Sequence, residues 1–128
     1  MRPGKAEALG LGWDQISAIH NKIVYCSISA YGQDGPFKKR GAYDHVVQGM
    51  TGIMTTTGTK ESGPTKVGAP YIDYATGLNA AFAITAALHE LNEQKKSIRV
   101  DVSMMDTSLL LMANMVTEHL NSGWVPEP

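Results

Sequence analysis

The residue with the clearest chemical potential is Asp73, which stands in segment 69–78 between an apolar dipeptide and a long helical run. Residues 78–99 contain no glycine or proline, and most of them have helix-forming composition. An aspartate at such a junction is typical of a helix N-cap, because its carboxylate accepts hydrogen bonds from unpaired N–H groups of the first turn. A carboxylate held beside small residues in a partly dry pocket can instead act as a nucleophile. The residues alone leave both roles open.

Other reactive side chains are few. Cys26 is the only cysteine, which excludes an intramolecular disulfide and disfavours a cysteine-ligated metal site, so no metal is expected. It lies in an apolar run, where a buried and inert thiol is the expected state. Lys60 and Lys66 of the polar segment 55–70 could meet phosphate groups, although solvated lysines are the commoner case. Asp73 is therefore the principal candidate for chemistry.

Two predicted strands and one long helix would position Asp73. Residues 22–29 are apolar at nearly every position and rich in β-branched and aromatic side chains, which predicts a strand buried on both faces of a parallel sheet. Residues 98–102 alternate between apolar and polar side chains, which predicts a strand with one polar face. The run after Asp73 predicts a helix to about residue 92, with alanines that permit close packing. This order indicates an α/β fold in a single domain, residues 1–128.

The rest of the chain predicts further helices and two loops. Segments 30–42 and 55–70 are rich in glycine and predict loops, and a loop that follows a parallel strand commonly gathers the ligand. Residues 105–120 are apolar almost all round, which predicts one helix covered by a partner subunit or by further polypeptide, and hence a homo-oligomer. Shorter helices are predicted over residues 5–9, 14–20 with Asp14 as the N-cap, and 43–51.

Composition and charge exclude several classes of protein. The chain has 43% hydrophobic and 18% charged residues, which is ordinary for a folded domain. Eleven basic residues are scattered and nearly balanced by twelve acidic ones, so no nucleic-acid partner is expected. Neither a signal peptide nor a membrane segment is evident, and the expectation is a cytoplasmic enzyme or binding module without membrane contact.

Several short motifs, taken in order, resemble the class III CoA-transferases, a family that includes formyl-CoA transferase, crotonobetainyl-CoA:carnitine CoA-transferase and the α-methylacyl-CoA racemases. No motif is specific alone, but their order and spacing cover the chain nearly from end to end. They are Arg2-Pro3-Gly4, Leu9-Gly10-Leu11, residues 24–29, residues 31–36, residues 41–44 with Gln48 and Gly52, Gly58, Gly63-Pro64, Asp73 with Thr76-Gly77, and residues 102–104 with Asp106. The resemblance implies a Rossmann-like three-layer α/β fold, in which helices flank a small, mostly parallel sheet.

The resemblance also implies a reaction and the residues that perform it. Asp73 falls on the family's catalytic carboxylate, which would attack an acyl-CoA, carry coenzyme A as an aspartyl thioester and pass it to a second carboxylic acid. Tyr43 falls on a residue that lines the site of the CoA thiol and acyl group, and Met104 falls near the pantetheine arm. The racemases carry a histidine at the position of Tyr43. Because a phenol with a pKa of about 10 is a poor base at neutral pH, tyrosine favours transfer over racemisation.

Family chains are several times longer than this one. The chain is therefore expected to correspond to the central part of the family's large domain, and to be incomplete or inactive by itself. Two alternatives stay open, namely a non-catalytic, self-associating domain derived from such an enzyme, and a racemase-like isomerase that uses Asp73. His45 lies two residues after Tyr43, and in a helix it would point to another face, as a surface or packing residue.

Overall fold

The computed structural model describes residues 1–128 and contains six α-helices, a parallel pair of strands and a small hairpin. The helices are α1 (Lys5–Ala8), α2 (Trp13–Ile19), α3 (Asp44–Met50), α4 (Tyr71–Gln94), α5 (Met104–Leu111) and α6 (Ala113–Ser122). The strands are β1 (Val24–Ser29), β2 (Gly58–Thr59), β3 (Gly63–Pro64) and β4 (Ile98–Ser103). The predicted α/β fold with a small, mostly parallel sheet is confirmed.

The parallel sheet consists of β1 and β4, with Val24 opposite Ile98 and Ser29 opposite Ser103. Both strands were predicted, and both are confirmed. The predicted burial of β1 on both faces is wrong, because most of its residues are half-buried and Ile28 is exposed. The reason is that β4 is the only neighbour of β1, and a sheet of two strands is too narrow to be covered fully on both faces.

The long helix α4 packs against both strands of this sheet. Its buried positions along the sheet include Ala80, Ala87 and Leu91, which recur at helical spacing, and the alanines allow a close approach. The helix begins at Tyr71, two residues before the predicted start at Asp73. It ends at Gln94, after which Lys95 has a left-handed backbone with a φ of 54°.

The core lies beneath the first turn of α4 and joins it to α3 and α5. It is formed by six buried residues, Ala30, Val47, Ile53, Ile72, Met104 and Met112. Ile72 belongs to the first turn of α4, and Met104 directly follows β4. The core therefore supports both the start of α4 and the carboxyl end of the sheet.

The predicted single helix over residues 105–120 is wrong, because the structure has two helices there. α5 ends at Leu111, and α6 begins at Ala113 after Met112, whose φ of −101° and ψ of 15° interrupt the helix. Met112 is buried in the core, so we attribute the interruption to the packing of its side chain there. The composition of the segment does not indicate such packing. α5 begins at Met104, where the Ser103 hydroxyl accepts the Asp106 N–H at 3.0 Å and acts as its N-cap.

The N-terminal helices and the two loops follow the predictions closely, with one exception. Asp14 is not the N-cap of α2, because the helix already begins at Trp13 and Gly12 occupies the cap position. The Gly12 N–H is bound instead by the Gln15 side chain, at 2.7 Å. Segment 30–42 contains no helix or strand. Segment 55–70 contains the end of a 3-10 turn, Ile53–Thr56, and the hairpin of β2 and β3.

One exposed surface of α4 is unusually apolar. Tyr74, Leu78 and Phe82 are 67, 74 and 76% exposed, and they lie one helical turn apart. These three residues form what we call the α4 stripe, which is offset from the positions that pack on the sheet. No helix of the structure combines the length and the hydropathy that crossing a bilayer requires.

Candidate active site

Asp73 lies in the first turn of α4 with an exposed side chain. Its carboxylate accepts no hydrogen bond and forms no ion pair. The predicted role of Asp73 as the N-cap is therefore wrong, since the helix starts earlier and other groups satisfy its first N–H groups. An uncommitted carboxylate at the positive end of a helix can meet a ligand from solvent.

The residue that caps α4 is Asp44, which belongs to the first turn of α3. Its Oδ2 accepts the N–H of Ile72 at 2.7 Å and the N–H of Asp73 at 3.2 Å. The Asp44 side chain is buried, and a buried carboxylate is stable only when it is well hydrogen-bonded. Asp44 thus supplies from α3 the acceptor that Asp73 was expected to supply within α4.

Gln48 completes this polar arrangement one turn further along α3. Its amide nitrogen donates to Oδ1 of Asp44, and its Oε1 accepts the N–H of Val67 at 2.9 Å. Gln48 is fully buried, and no buried side-chain oxygen or nitrogen of the protein lacks a hydrogen-bond partner. Asp44 and Gln48 therefore connect α3 to segment 55–70 and to the first turn of α4.

Tyr43 and Met104, the two predicted coenzyme A contacts, line one cavity. The cavity has a volume of about 370 Å³, and Ser29 and Ala30 at the carboxyl end of β1 also line it. Tyr43 is 77% exposed, whereas Met104 is buried in the core and also lines the cavity. A partly apolar cavity of this size at the carboxyl end of a parallel sheet is a usual place for a ligand.

Asp73 does not line this cavity, but it is connected to it through one residue. Tyr43 directly precedes Asp44, and Asp44 accepts the backbone N–H of Asp73. His45 is exposed, as predicted for a surface residue, but it does not face away from Tyr43, because the two rings are nearly parallel with centroids 6.1 Å apart. The difference arises because Tyr43 precedes α3 and does not follow its helical spacing.

The charge of Asp44 also affects its neighbour Tyr71. Burial raises the pKa of the Tyr71 phenol, and the negative charge of Asp44 raises this pKa further. The sign is the same for both effects, because each disfavours a phenolate. Tyr71 therefore stays neutral at physiological pH and packs against the core as an uncharged ring.

Cys26 was predicted to be buried, but it is only half-buried on β1, beside the paired strand β4. Burial raises the pKa of its thiol, and the negative charge of Asp101 adds to the rise. A raised pKa leaves less of the reactive thiolate at any given pH. The expectation of an unreactive thiol therefore has a physical basis in the structure.

Thiol labelling provides a direct check on Cys26. At about pH 8, we expect an aromatic disulfide reagent to react several-fold more slowly with the folded protein than with the protein unfolded in urea. The curve of rate against pH should lie at higher pH for the folded protein, and Asp101→Asn should move it part of the way back. Equal labelling rates in the folded and unfolded protein would contradict the environment described for Cys26.

The lysines considered for phosphate binding remain without an assigned role. Lys66 is exposed, and its ammonium group lies 3.4 Å from the Val67 carbonyl oxygen and 3.5 Å from that of Gly68. Lys60 is exposed near the tip of the β2–β3 hairpin. No group of three or more His, Cys, Asp or Glu side chains lies close enough together to hold a metal ion.

Asp44 and Gln48 are the residues of this site that sequence reasoning did not assign. A signal for them exists, since they lie four residues apart and share one face of α3 with the apolar residue Val47 beside them. A polar pair at this spacing on a buried helix face indicates side chains that bind each other. Their backbone partners at residues 67, 72 and 73 could not be found in this way, because nothing in the local pattern points to them.

Comparison with known proteins gives relatives that transfer CoA. Succinyl-CoA:glutarate CoA-transferase of Homo sapiens is 36% identical over 118 residues, which are 92% of this chain and 27% of that protein. Formyl-CoA:oxalate CoA-transferase of Streptomyces avermitilis is 39% identical over 109 residues, which are 85% of this chain and 26% of that protein. The chain spans about a quarter to a third of the length of the curated relatives it matches.

A solved structure shares the fold nearly throughout. The crystal structure of a CAIB/BAIF family protein from Brucella suis superposes with a TM-score of 0.93 at 34% identity, covering 99% of this chain and 34% of that one. The sequence model of the family described as CoA-transferase family III matches residues 1–128. This match confirms the resemblance seen in the short motifs, and the chain belongs to CoA-transferase family III.

Proposed function

We propose that the protein moves coenzyme A between two carboxylic acids, with Asp73 as the covalent nucleophile. The observation that carries the proposal is the uncommitted carboxylate of Asp73, which is left exposed because Asp44 caps α4 in its place. Membership of CoA-transferase family III supports the reaction class. The relatives named above are each named for transfer from an acyl-CoA to a free acid, which is the reaction type proposed.

In the proposed reaction, an oxygen of Asp73 attacks the thioester carbonyl of a donor acyl-CoA. The C–S bond breaks, and the products are a mixed anhydride on Asp73 and the CoA thiolate. The thiolate then attacks the Asp73 carbonyl carbon, releases the donor acid as a carboxylate and leaves CoA attached to Asp73 as a thioester. Each step replaces one activated acyl group with another, so the energy of the thioester is largely retained.

The acceptor acid completes the exchange by the same chemistry in the opposite order. Its carboxylate attacks the Asp73 thioester and expels the thiolate, which then attacks the acceptor's carbonyl carbon. The new acyl-CoA leaves, and the carboxylate of Asp73 is restored with no net change in protons or oxidation state. We assign the cavity lined by Tyr43 and Met104 to the thiol end and pantetheine arm of coenzyme A, because it lies beside the residue that caps the nucleophile's helix.

The test mixes the purified protein with donor and acceptor pairs suggested by the relatives, namely succinyl-CoA with glutarate, formyl-CoA with oxalate and acetyl-CoA with oxalate. We expect a new acyl-CoA in at least one mixture and, without acceptor, an adduct that hydroxylamine converts to a hydroxamate at Asp73. Exchange of deuterium into the α-carbon of succinyl-CoA or acetyl-CoA without transfer would indicate the isomerase alternative. Absence of transfer, adduct and exchange in every mixture would reject catalysis by the chain alone, in line with the expectation of an incomplete or inactive enzyme and with the alternative of a non-catalytic, self-associating domain.

We also propose that the protein forms homo-oligomers through the α4 stripe. Three large apolar side chains, Tyr74, Leu78 and Phe82, are exposed in register along a helix of 24 residues. Such a row is self-complementary when two helices pack antiparallel about a two-fold axis, and a net charge of −1 gives little repulsion between copies. The sequence placed the oligomer contact on residues 105–120, where Leu110 and Leu120 are also exposed, so that segment stays a second candidate contact.

Replacing Leu78 with aspartate should weaken this self-association at least about tenfold, because it places a charge at the centre of an apolar contact. Sedimentation equilibrium measures the dissociation constant. Ile19→Asp is the matched control, because Ile19 is also exposed but lies on α2, and it should leave the constant unchanged. A wild-type protein that stays monomeric at high concentration, or equal effects of the two substitutions, would contradict the proposed contact.

A further inference from the structure

We propose that Asp44, held in place by Gln48, is a positioning residue that keeps the Asp73 carboxylate available for reaction. The proposal rests on the proposed function, because it explains how the nucleophile of that reaction is left unbonded. Asp44 is buried and does not line the cavity of Tyr43 and Met104. It acts through two backbone N–H groups of α4, one of which belongs to Asp73 itself.

The directions of the hydrogen bonds require a carboxylate at residue 44. The Val67 N–H donates to Oε1 of Gln48, which fixes the Gln48 amide nitrogen as the donor toward Oδ1 of Asp44. Oδ2 of Asp44 accepts two further N–H groups, from Ile72 and Asp73. The side chain must therefore accept at both oxygens, which an ionised carboxylate does. An asparagine has one acceptor oxygen and would set its own N–H₂ group against one of the donors.

This arrangement determines whether Asp73 is free. Without Asp44, two N–H groups in the first turn of α4 would lack an acceptor inside the protein. Asp73 is the acidic residue of the same turn, and its carboxylate would be attracted to these free N–H groups at the positive end of the helix. A carboxylate engaged by its own helix is less available to attack a thioester. Asp44 prevents this competition by supplying the cap from α3.

The same two side chains also link the nucleophile to the cavity. Asp44 directly follows Tyr43, so the turn that carries Tyr43 is tied to the turn that carries Asp73. Gln48 extends this link to segment 55–70, because it accepts the N–H of Val67, which lies a few residues before α4. A change at residue 44 would therefore alter both the bonding of Asp73 and its position relative to the bound thioester.

Asp44→Asn tests the proposal because it preserves the shape of the side chain and removes one acceptor. We expect the rate of adduct formation at Asp73 to fall about 10- to 100-fold, with the KM for acyl-CoA changed by less than about threefold. Labelling of Asp73 by a water-soluble carbodiimide and an amine, followed by mass spectrometry, should slow as well. The amide proton resonances of Ile72 and Asp73 should move upfield, because they lose a charged acceptor.

Two further variants make the result decisive. Asp101→Asn is the matched control, because Asp101 also accepts a backbone N–H, from Gln33 at 2.9 Å, but on β4. It should leave the labelling of Asp73 unchanged. Gln48→Met removes the side chain that holds Asp44 in place without altering Asp44 itself. It should also slow adduct formation and carbodiimide labelling at Asp73, by less than Asp44→Asn does, and it serves as the test if Asp44→Asn does not fold. Unchanged adduct formation and unchanged carbodiimide labelling in the folded variants would overturn the proposal.

The carbodiimide measurement also separates this proposal from the proposed function. If the wild-type protein forms no adduct with any acyl-CoA, the proposed transfer fails. Carbodiimide labelling of Asp73 needs no turnover, so it still decides whether Asp44 keeps that carboxylate free. Slower labelling in Asp44→Asn, with unchanged labelling in Asp101→Asn, would then support positioning without transfer.

Discussion

Replacing Asp73 with alanine is expected to lower the rate of CoA transfer by at least about 1000-fold, because the variant lacks the group that carries the CoA thioester. Asp44, the nearby carboxylate, cannot substitute, since it is buried and already accepts three N–H donors. The fold should survive, because the Asp73 side chain makes no hydrogen bond and loses only its attraction to the helix dipole. That attraction is worth about 0.3–1 kcal/mol.

Chromatography of the acyl-CoA products measures the rate in this experiment, and urea denaturation measures the stability. The matched control is Asp14→Ala, because Asp14 is likewise an exposed aspartate in the first turn of a helix. It should leave the transfer rate within about twofold of the wild type. Asp73→Asn, which preserves shape, should be as inactive as Asp73→Ala. Transfer near the wild-type rate in either Asp73 variant, or an adduct mapped to another residue, would contradict the assignment.

The sequence singled out Asp73 as a candidate but could not describe its bonding. A helix cap is normally inferred from residues next to the helix, and Asp73 fitted that pattern. The actual acceptor, Asp44, is 28 residues before Ile72, so only the packing of α3 against α4 reveals it. The sequence left the capping and nucleophilic roles open for one carboxylate. In the structure Asp44 has the capping role, which leaves the Asp73 carboxylate unbonded for the nucleophilic role that we propose.

The same distinction applies to the fold. The strands β1 and β4 and the helix α4 were predicted because their patterns extend over many residues. The break between α5 and α6 was not, because Met112 and its neighbours on both sides are ordinary helix formers. Met112 leaves helical geometry where it enters the core, which is a tertiary effect. Burial of β1 was overestimated for a related reason, since its apolar pattern does not report how many strands surround it.

Ile72→Ala is expected to lower the free energy of unfolding by about 2–5 kcal/mol, because it removes a fully buried side chain and leaves a cavity. The position within this range depends on how far the neighbouring core residues, Val47 and Met104 among them, move into the space. Urea denaturation measures it as a lower midpoint with an unchanged slope. Ile72→Val removes less volume and should cost about 0.5–1.5 kcal/mol, which keeps the series interpretable if the alanine variant unfolds.

The matched control is Ile19→Ala, the same chemical change at a residue that is 83% exposed, and it should cost less than about 0.5 kcal/mol. Equal midpoints for Ile72→Ala and Ile19→Ala would contradict the position of Ile72 in the core. A second effect follows from where Ile72 lies, because its N–H binds Asp44 and the next residue is Asp73. Space beneath Ile72 lets the first turn of α4 shift. Ile72→Val, measured well below its unfolding midpoint, should therefore form the Asp73 adduct more slowly than the wild type, whereas Ile19→Ala should not.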